Sequence, residues 1–236
     1  MKRILLMPLI AILLISAKVV SAQEPRVSCT NMTNTITMTV PSANAKCLTV
    51  LNNERAADGK PLSEARISSA AIVINDFVQA GKADPEVTVY STSGLSGVNS
   101  EIYAVATSLT TLINEINQNG GAVTLNSALP FLPYQDKTQL FTALPSSINF
   151  ENGMGVRAIT AYGDSGASVS NDSLLYTVQA MSLDGTKYLS AVIPLRNSQI
   201  TGPVDSTTFD WNALPADSWS PSLSKLDEYI RSIVIN

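Results

Sequence analysis

Histidine is absent from the 236 residues of this chain, and cysteine occurs only twice. Serine and cysteine hydrolases usually take a histidine as their general base, and histidine is also the commonest metal ligand in proteins. Residues 163–166, GDSG, resemble the nucleophile segment of trypsin-like proteases, but that mechanism needs a histidine, so they are interpreted as a turn. The sequence predicts no catalytic residue, no metal site and no cofactor.

Basic residues are also few, with 15 lysines and arginines against 19 acids. The first 22 residues, MKRILLMPLIAILLISAKVVSA, contain three of these bases, a short apolar stretch and small residues at their end. This order is typical of a secretory signal peptide. Its removal would change the formal net charge from −4 to −7. Since an acidic protein is repelled by phosphate backbones, no nucleic-acid partner is expected.

No further long apolar run occurs, so no membrane span is expected after signal cleavage. The predicted organisation is a signal peptide at residues 1–22 and a single extracytoplasmic domain at residues 23–236, either periplasmic or secreted. An oxidising route and an even cysteine count favour a structural disulfide between Cys29 and Cys47. A redox pair is usually spaced C-x-x-C, and zinc needs more ligands than two cysteines provide.

Alternating apolar residues predict strands along much of the chain. The predicted strands are residues 35–40, 47–52, 67–77, 86–91, 138–150, 155–162, 172–182 and 187–195. The second is expected to lie beside the first. Asp184-Gly185 predicts a hairpin turn between the last two strands, which are expected to form the centre of a sheet. Residues 153–158, GMGVRA, fit a dinucleotide-loop pattern, but a strand rather than a helix follows, so a loop between strands is expected.

Two segments have apolar residues at helical spacing. Residues 99–118 predict the longer helix, whose polar face has threonine, serine and asparagine without lysine or arginine. That composition favours a helix packed on a core over one lying on a membrane. Ser220 and Pro221 are expected to begin a C-terminal helix. The predicted fold class is α+β, with a twisted antiparallel sheet of about six to eight strands on which the main helix and the C-terminal helix pack.

Two hydrolase mechanisms need no histidine. Ser222 and Lys225 fit the S-x-x-K pattern, in which a lysine assists a serine nucleophile, although so short a pattern arises by chance in a serine-rich chain. A glycosidase needs only two carboxyl groups across a cleft. The scattered acids, for which solvated surface positions are expected, are Glu101, Asp136, Glu151, Asp164, Asp172, Asp184 and Asp227.

Aromatic residues give the candidate ligand surface: Phe131, Tyr134, Trp211 and Trp219. Tryptophan and tyrosine are common at binding surfaces. For Phe131 and Tyr134, a position at the edge of a core is favoured over a pocket. For the two tryptophans, a core position and a binding surface are both open. Phe131 and Tyr134 belong to a proline-bounded apolar loop, and both tryptophans precede the C-terminal helix.

The C-terminal half resembles a family of exported bacterial proteins, some of them lipoproteins, that have no assigned activity. The resemblance covers roughly residues 65–236 and is most specific in GVRAITAY at 155–162, followed by LLYTVQAMSLDGTKYLSAVIP at 174–194. It implies an exported α+β domain and no catalytic residue. Residues 23–60 show no such resemblance.

The leading hypothesis is a non-enzymatic binding or interaction module of the cell envelope or exterior. Its partner would be a protein, a glycan or a small apolar ligand. The alternatives are a hydrolase that uses carboxylates or the Ser–Lys pair, and a structural component of the envelope.

Overall fold

The computed structural model describes residues 25–30, 35–41, 47–52, 69–74, 82, 85–98, 100–132 and 137–236. The strands in these ranges are β1 Arg26–Thr30, β2 Ile36–Pro41, β3 Cys47–Asn52, β4 Ser69–Ile74, β5 Glu86–Ser91, β6 Thr138–Phe150, β7 Gly153–Gly163, β8 Leu175–Ser182, β9 Lys187–Pro194, β10 Arg196–Asn197, β11 Trp219–Ser220 and β12 Val234–Ile235. The α-helices are α1 Thr92–Val98, α2 Ser100–Gln118 and α3 Leu223–Arg231. This mixture of helices and antiparallel strands confirms the α+β class.

The main sheet has the strand order β3-β4-β5-β9-β8-β7-β6 within the described residues, and every neighbouring pair is antiparallel. Strands β6 to β9 form a meander, with each strand beside the next one in the chain. The β8–β9 hairpin lies inside the sheet, so both of its strands have neighbours on either side. Its turn contains Asp184-Gly185, as predicted, and Gly185 has a φ of +69°.

A second sheet brings the two ends of the described chain together. Strand β2 lies between β1 and β12, and Ile36 pairs with Ile235. The prediction that residues 47–52 pair with residues 35–40 was wrong, because β12 takes the free edge of β2 and β3 pairs with β4 instead. Cys29 lies inside β1 rather than before the first strand.

Each face of the main sheet is covered by a separate apolar core. Helix α2 packs on one face through Ile102, Leu109 and Ile116, which contact the side of the sheet that contains Val156 and Tyr188. Helix α3, the small sheet and the long connection before α3 cover the other face. The domain therefore has three layers, and the sheet is the middle one.

Helix α2 begins at Ser100 and ends at Gln118, so its prediction from the apolar spacing was accurate to one residue. Gly120 and Gly121 follow it with φ angles of +66° and +92°, values that favour glycine and stop the helix. The short helix α1, TSGLSGV, was not predicted, because its two glycines oppose a helix. Leu95 of α1 is buried in the α2 core.

Helix α3 is capped by Ser222, whose hydroxyl accepts a hydrogen bond from the backbone N–H of Lys225. The predicted start at Ser220 and Pro221 was wrong, since Ser220 pairs with Arg196 in the β10–β11 ladder. Strand β7 begins at Gly153, so the two glycines of GMGVRA lie in the strand and not in a loop. No helix follows them, in agreement with the rejection of a dinucleotide site.

Candidate functional site

A groove of about 640 Å³ runs along helix α2. One wall is a single stripe of the helix, with residues recurring every three or four positions. These residues are Glu101, Ala104, Val105, Ser108, Thr111, Leu112 and Glu115. The stripe lies beside the buried one that packs on the sheet, so the same helix both fills a core and forms a groove. The volume falls in the range of roughly 300–1,000 Å³ typical of ligand sites.

The opposite wall is the chain that returns after the helix, which we call the return segment and define as residues 122–132. It lines the groove continuously from Thr124 to Phe131. Val123 and Leu125 are half-buried and pack against the α2 core. The return segment contains proline and turn residues, which prevent it from forming regular secondary structure. Specific side chains must therefore hold it in place.

Two glutamines of the sheet fasten the end of the return segment. The side-chain oxygen of Gln139 accepts a hydrogen bond from the backbone N–H of Leu129 at 2.8 Å. The amide of Gln179 bonds both backbone groups of Leu132, accepting from the N–H at 3.0 Å and donating to the carbonyl at 3.2 Å. A buried amide group without hydrogen-bond partners costs free energy. These hydrogen bonds therefore favour a single position of the return segment.

The Gln179 amide belongs to a fully buried polar network. Its oxygen also accepts from the Tyr188 hydroxyl at 2.5 Å, and its nitrogen donates to Thr177 and Ser190. Burial raises the pKa of Tyr188 well above its ordinary value, so the hydroxyl keeps its proton and remains a donor. The network explains why polar residues occupy the centre of the sheet beneath the groove.

Aromatic rings form the floor of the groove near Phe131. The Phe131 and Tyr162 rings lie 4.7 Å apart between centroids and are tilted by 49°. The Tyr162 hydroxyl accepts a hydrogen bond from Gln139 at 2.7 Å. Burial raises the pKa of Tyr162 well above its ordinary value, and the Gln139 hydrogen bond only partly offsets this effect. The hydroxyl therefore stays protonated and can still donate a hydrogen bond to a ligand.

Several polar side chains along the groove have no partner among the described residues. They are the Ser108 hydroxyl, the Thr124 hydroxyl, the Asn126 amide and the Glu115 carboxylate, all of them on exposed residues. The groove also has one basic lining residue, Lys137, which contacts Asp164 at 2.6 Å. Both members of that ion pair are exposed, so we expect it to add little stability.

The four aromatic residues of the predicted ligand surface do not share a surface. Phe131 lines the groove, whereas Tyr134 lies outside the described residues. Trp211 is buried in the core on the other face of the sheet, where its ring stacks on Phe141 with centroids 3.9 Å apart. Trp219 is buried in that same core. Both tryptophan side chains are therefore core residues.

The residues of the Ser–Lys hypothesis form a helix cap. Ser222 uses its hydroxyl to hold the backbone of Lys225, while the lysine side chain is exposed and lies over the Tyr229 ring at 5.8 Å. A lysine that assists a serine nucleophile must approach the hydroxyl in a protected site. This arrangement contradicts the Ser–Lys mechanism.

The carboxylates do not form a glycosidase pair in the groove. Glu101 and Glu115 both line it, but they are 14 residues apart on α2, which corresponds to about 21 Å along the helix axis. Glycosidase carboxyls lie roughly 5–10 Å apart. Asp136 is outside the described residues, and Glu151, Asp164, Asp172 and Asp184 are exposed as expected.

Asp227 is the exception among the acids, because it is largely buried. Its carboxylate accepts a hydrogen bond from Tyr176 at 2.8 Å and lies 3.3 Å from the Arg157 guanidinium. Arg157 also donates to the Leu144 carbonyl. Burial and the neighbouring Asp227 carboxylate raise the pKa of Tyr176. The cluster joins α3 to β6, β7 and β8, which is a structural function.

The described residues contain no group of three acids or cysteines that could hold a metal ion. Where the structure describes the chain, none of its helices has the length and apolarity that a membrane crossing requires. Cys29 is buried, and the side chain of Cys47 lies outside the described part, so their pairing stays a prediction.

Comparison with known proteins gave no match to a family model, to a curated protein or to a solved structure. The resemblance to exported bacterial proteins therefore stays a prediction. Sequence reasoning favoured a core position for Phe131, which is buried while it also lines the groove, and it did not bring the groove residues together. The signal that could have found them was the polar face of α2, which has no lysine or arginine and has both acids of the helix, Glu101 and Glu115, on the stripe that lines the groove.

Proposed function

We propose that this chain is an exported, non-enzymatic binding module and that its ligand lies in the α2 groove. The observation that carries the proposal is the combination of a preformed groove with unpartnered polar groups on both of its walls. Ser108 and Glu115 project from the helix, and Thr124 and Asn126 project from the return segment. Polar groups that converge on a partly apolar cleft are the usual composition of a ligand site.

The anchoring of the return segment supports the same proposal. Gln139 and Gln179 hold the wall at Leu129 and Leu132, so the groove exists before any ligand arrives. A preorganised site binds more tightly than a mobile one, because less conformational entropy is lost on binding. A segment that only connected α2 to β6 would not need two glutamine side chains, one of them fully buried, to fix its position.

The choice of a binding module over a hydrolase rests on the groove chemistry. The chain has no histidine, its two groove acids are about 21 Å apart along α2, and Lys225 is exposed on the opposite layer. None of these groups is arranged to activate a nucleophile at the groove. A purely structural component is less favoured, because it would not need a preformed groove.

Export is inferred from the N-terminal sequence, and the cysteines are consistent with it. Strands β1 and β3, which contain Cys29 and Cys47, approach each other in the described backbone. No free cysteine occurs among the described residues. A disulfide here would close a short loop and stabilise the fold by about 3 kcal/mol in the chain-entropy model.

A thermal-shift screen of the purified exported protein tests the proposed site. The probes are neutral oligosaccharides, cell-wall fragments, fatty acids and linear peptides. A ligand at 100 times its dissociation constant stabilises the folded state by about 2.7 kcal/mol, which gives a clear rise in the melting temperature. We expect Ser108→Trp, which fills the groove, to abolish the rise.

Thr107→Trp is the matched control, because Thr107 is exposed on the same helix but does not line the groove. It should leave the ligand-induced rise unchanged. A ligand that stabilises the wild type and Ser108→Trp equally binds elsewhere, and this result would refute the groove as the site.

A further inference from the structure

The first half of the return segment has the side-chain pattern of a strand but has no strand beside it. Val123 and Leu125 are half-buried, while Ala122, Thr124 and Asn126 are exposed. This alternation has the period of two that is characteristic of extended chain. The described structure nevertheless places the segment in none of its three sheets.

The main chain of this stretch is correspondingly unpaired. For residues 123–127, none of the backbone N–H and C=O groups bonds another part of the chain that the structure describes. The hydrogen bonds that fix the segment lie at its two ends, where Ser147 donates to the Gly121 carbonyl and Gln139 accepts from Leu129. The chain bends at Asn126 and Ser127, so the part that can act as a strand is residues 123–125. Free backbone groups in such a stretch are a template to which another strand can add.

The length and the charge of the groove limit the kind of ligand that it can bind. Its helical wall spans about 21 Å from Glu101 to Glu115, which is the length of about six extended residues at 3.3 Å each. Glu115 has no cationic partner in the described structure, and the lining base Lys137 is paired with Asp164. A positive side chain on the ligand would therefore find a complementary carboxylate at Glu115.

We infer that the groove binds an extended peptide of about six residues that contains a lysine or arginine, and that the peptide adds as a strand to residues 123–125. The inference rests on the proposed function, because it needs the groove to be the ligand site. Alternate peptide side chains would face the stripe that contains Ser108 and Thr111, and the basic side chain would reach Glu115. A glycan could use the same hydroxyls, but it would leave the backbone of residues 123–125 unpaired.

The test begins with a displayed library of random linear octapeptides, panned against the immobilised full-length exported protein. Enriched peptides are synthesised, and their affinities are measured by fluorescence polarisation. We expect peptides with a basic residue, whose binding is lost in Ser108→Trp and retained in Thr107→Trp. Glu115→Gln should weaken binding about threefold and reduce its salt dependence. Glu151→Gln, at an exposed acid in the β6–β7 turn, is the charge control and should change nothing.

N-methylation of the peptide backbone distinguishes strand addition from side-chain binding. Successive residues of a strand present their N–H groups to opposite edges, so methylation at alternate positions should reduce the affinity about tenfold, with little effect at the positions between. Uniform tolerance of N-methylation would overturn strand addition. If all enriched peptides bind Ser108→Trp as tightly as the wild type, the groove is not the peptide site.

The two proposals fail in different ways. One possible result is that no peptide is enriched, but an oligosaccharide raises the melting temperature and Ser108→Trp abolishes this rise. The groove is then a binding site, and the peptide inference is wrong. If every probe that binds does so independently of Ser108→Trp, the proposed function of the groove fails as well.

Discussion

Gly155 shows how one residue can be specified by its neighbours in the sheet rather than by a ligand. A Cβ atom at this position would lie 2.2 Å from the Gln179 carbonyl oxygen and 2.5 Å from the Ala180 Cα. Both of these atoms belong to the backbone of β8, so they cannot move aside without distorting the strand. The glycine pattern that resembles a dinucleotide loop is thus explained by close packing of β7 on β8.

Gly155→Ala should therefore destabilise the fold by about 1–3 kcal/mol, which is the usual cost of overpacking a core. Urea unfolding followed by circular dichroism would measure the change. Gly97→Ala is the control, because no atom lies within 4 Å of a Cβ at that position in α1 and alanine favours a helix. Equal stability of Gly155→Ala and the wild type would show that the strands can separate without cost.

Among the elements, the β8–β9 hairpin shows the closest agreement between sequence and structure. Its strands were predicted at 172–182 and 187–195, and they occur at Leu175–Ser182 and Lys187–Pro194. The first strand begins later than predicted because residues 171–173 form a turn. At the tip, the Asp184 carboxylate accepts hydrogen bonds from Ser182 and Thr186.

These hydrogen bonds make the hairpin turn sensitive to pH. The Ser182 hydroxyl, followed by the Thr186 donors, lowers the pKa of Asp184 from 3.8 to about 2. A depressed acid pKa means that the folded state binds the proton less readily than the unfolded state. The stabilisation is therefore complete above pH 3.8 and is lost as the pH falls through 2.

Asp184→Asn should consequently lower the free energy of unfolding at pH 7 and have a smaller effect near pH 2. The measurement is the difference between the two proteins in urea unfolding at each pH. A difference that is the same at both values would mean that the charge of Asp184 does not contribute to the turn.

Several of the elements that sequence reasoning missed depend on distant partners. Strands β10 and β11 are two residues long, too short for a periodic pattern, and each exists because the other lies beside it. Strand β12 likewise forms on β2. The groove has the same origin, since the amides of Gln139 and Gln179 decide where the return segment lies, and no local pattern marks a glutamine as an anchor.

At the scale of the whole molecule, both cores share one sheet. Strand β8 contributes Tyr176 and Val178 to the α3 side, while its Met181 contacts the α2 side. Both tryptophans of the chain lie on the α3 side. A shared middle layer should couple the two outer layers, so that the domain unfolds in a single transition.

Leu109→Ala tests this coupling. Leu109 is fully buried in the α2 core, and its truncation should cost about 2–5 kcal/mol. Both tryptophans lie on the opposite face of the sheet, so tryptophan fluorescence monitors unfolding on that face. In Leu109→Ala, we expect the fluorescence midpoint to fall together with the midpoint measured by circular dichroism. A fluorescence midpoint that stays at the wild-type value would show that the two faces unfold independently.

The pairing of β2 with β12 sets the order in which this chain can fold. The partners Ile36 and Ile235 are about 200 residues apart in sequence, and the cost of closing a loop grows with its length. The meander from β6 to β9 needs only short loops and can form early. We therefore expect the small sheet to be completed late: β1 and β2 can pair locally, but β12 joins β2 only when residues 234–235 are present.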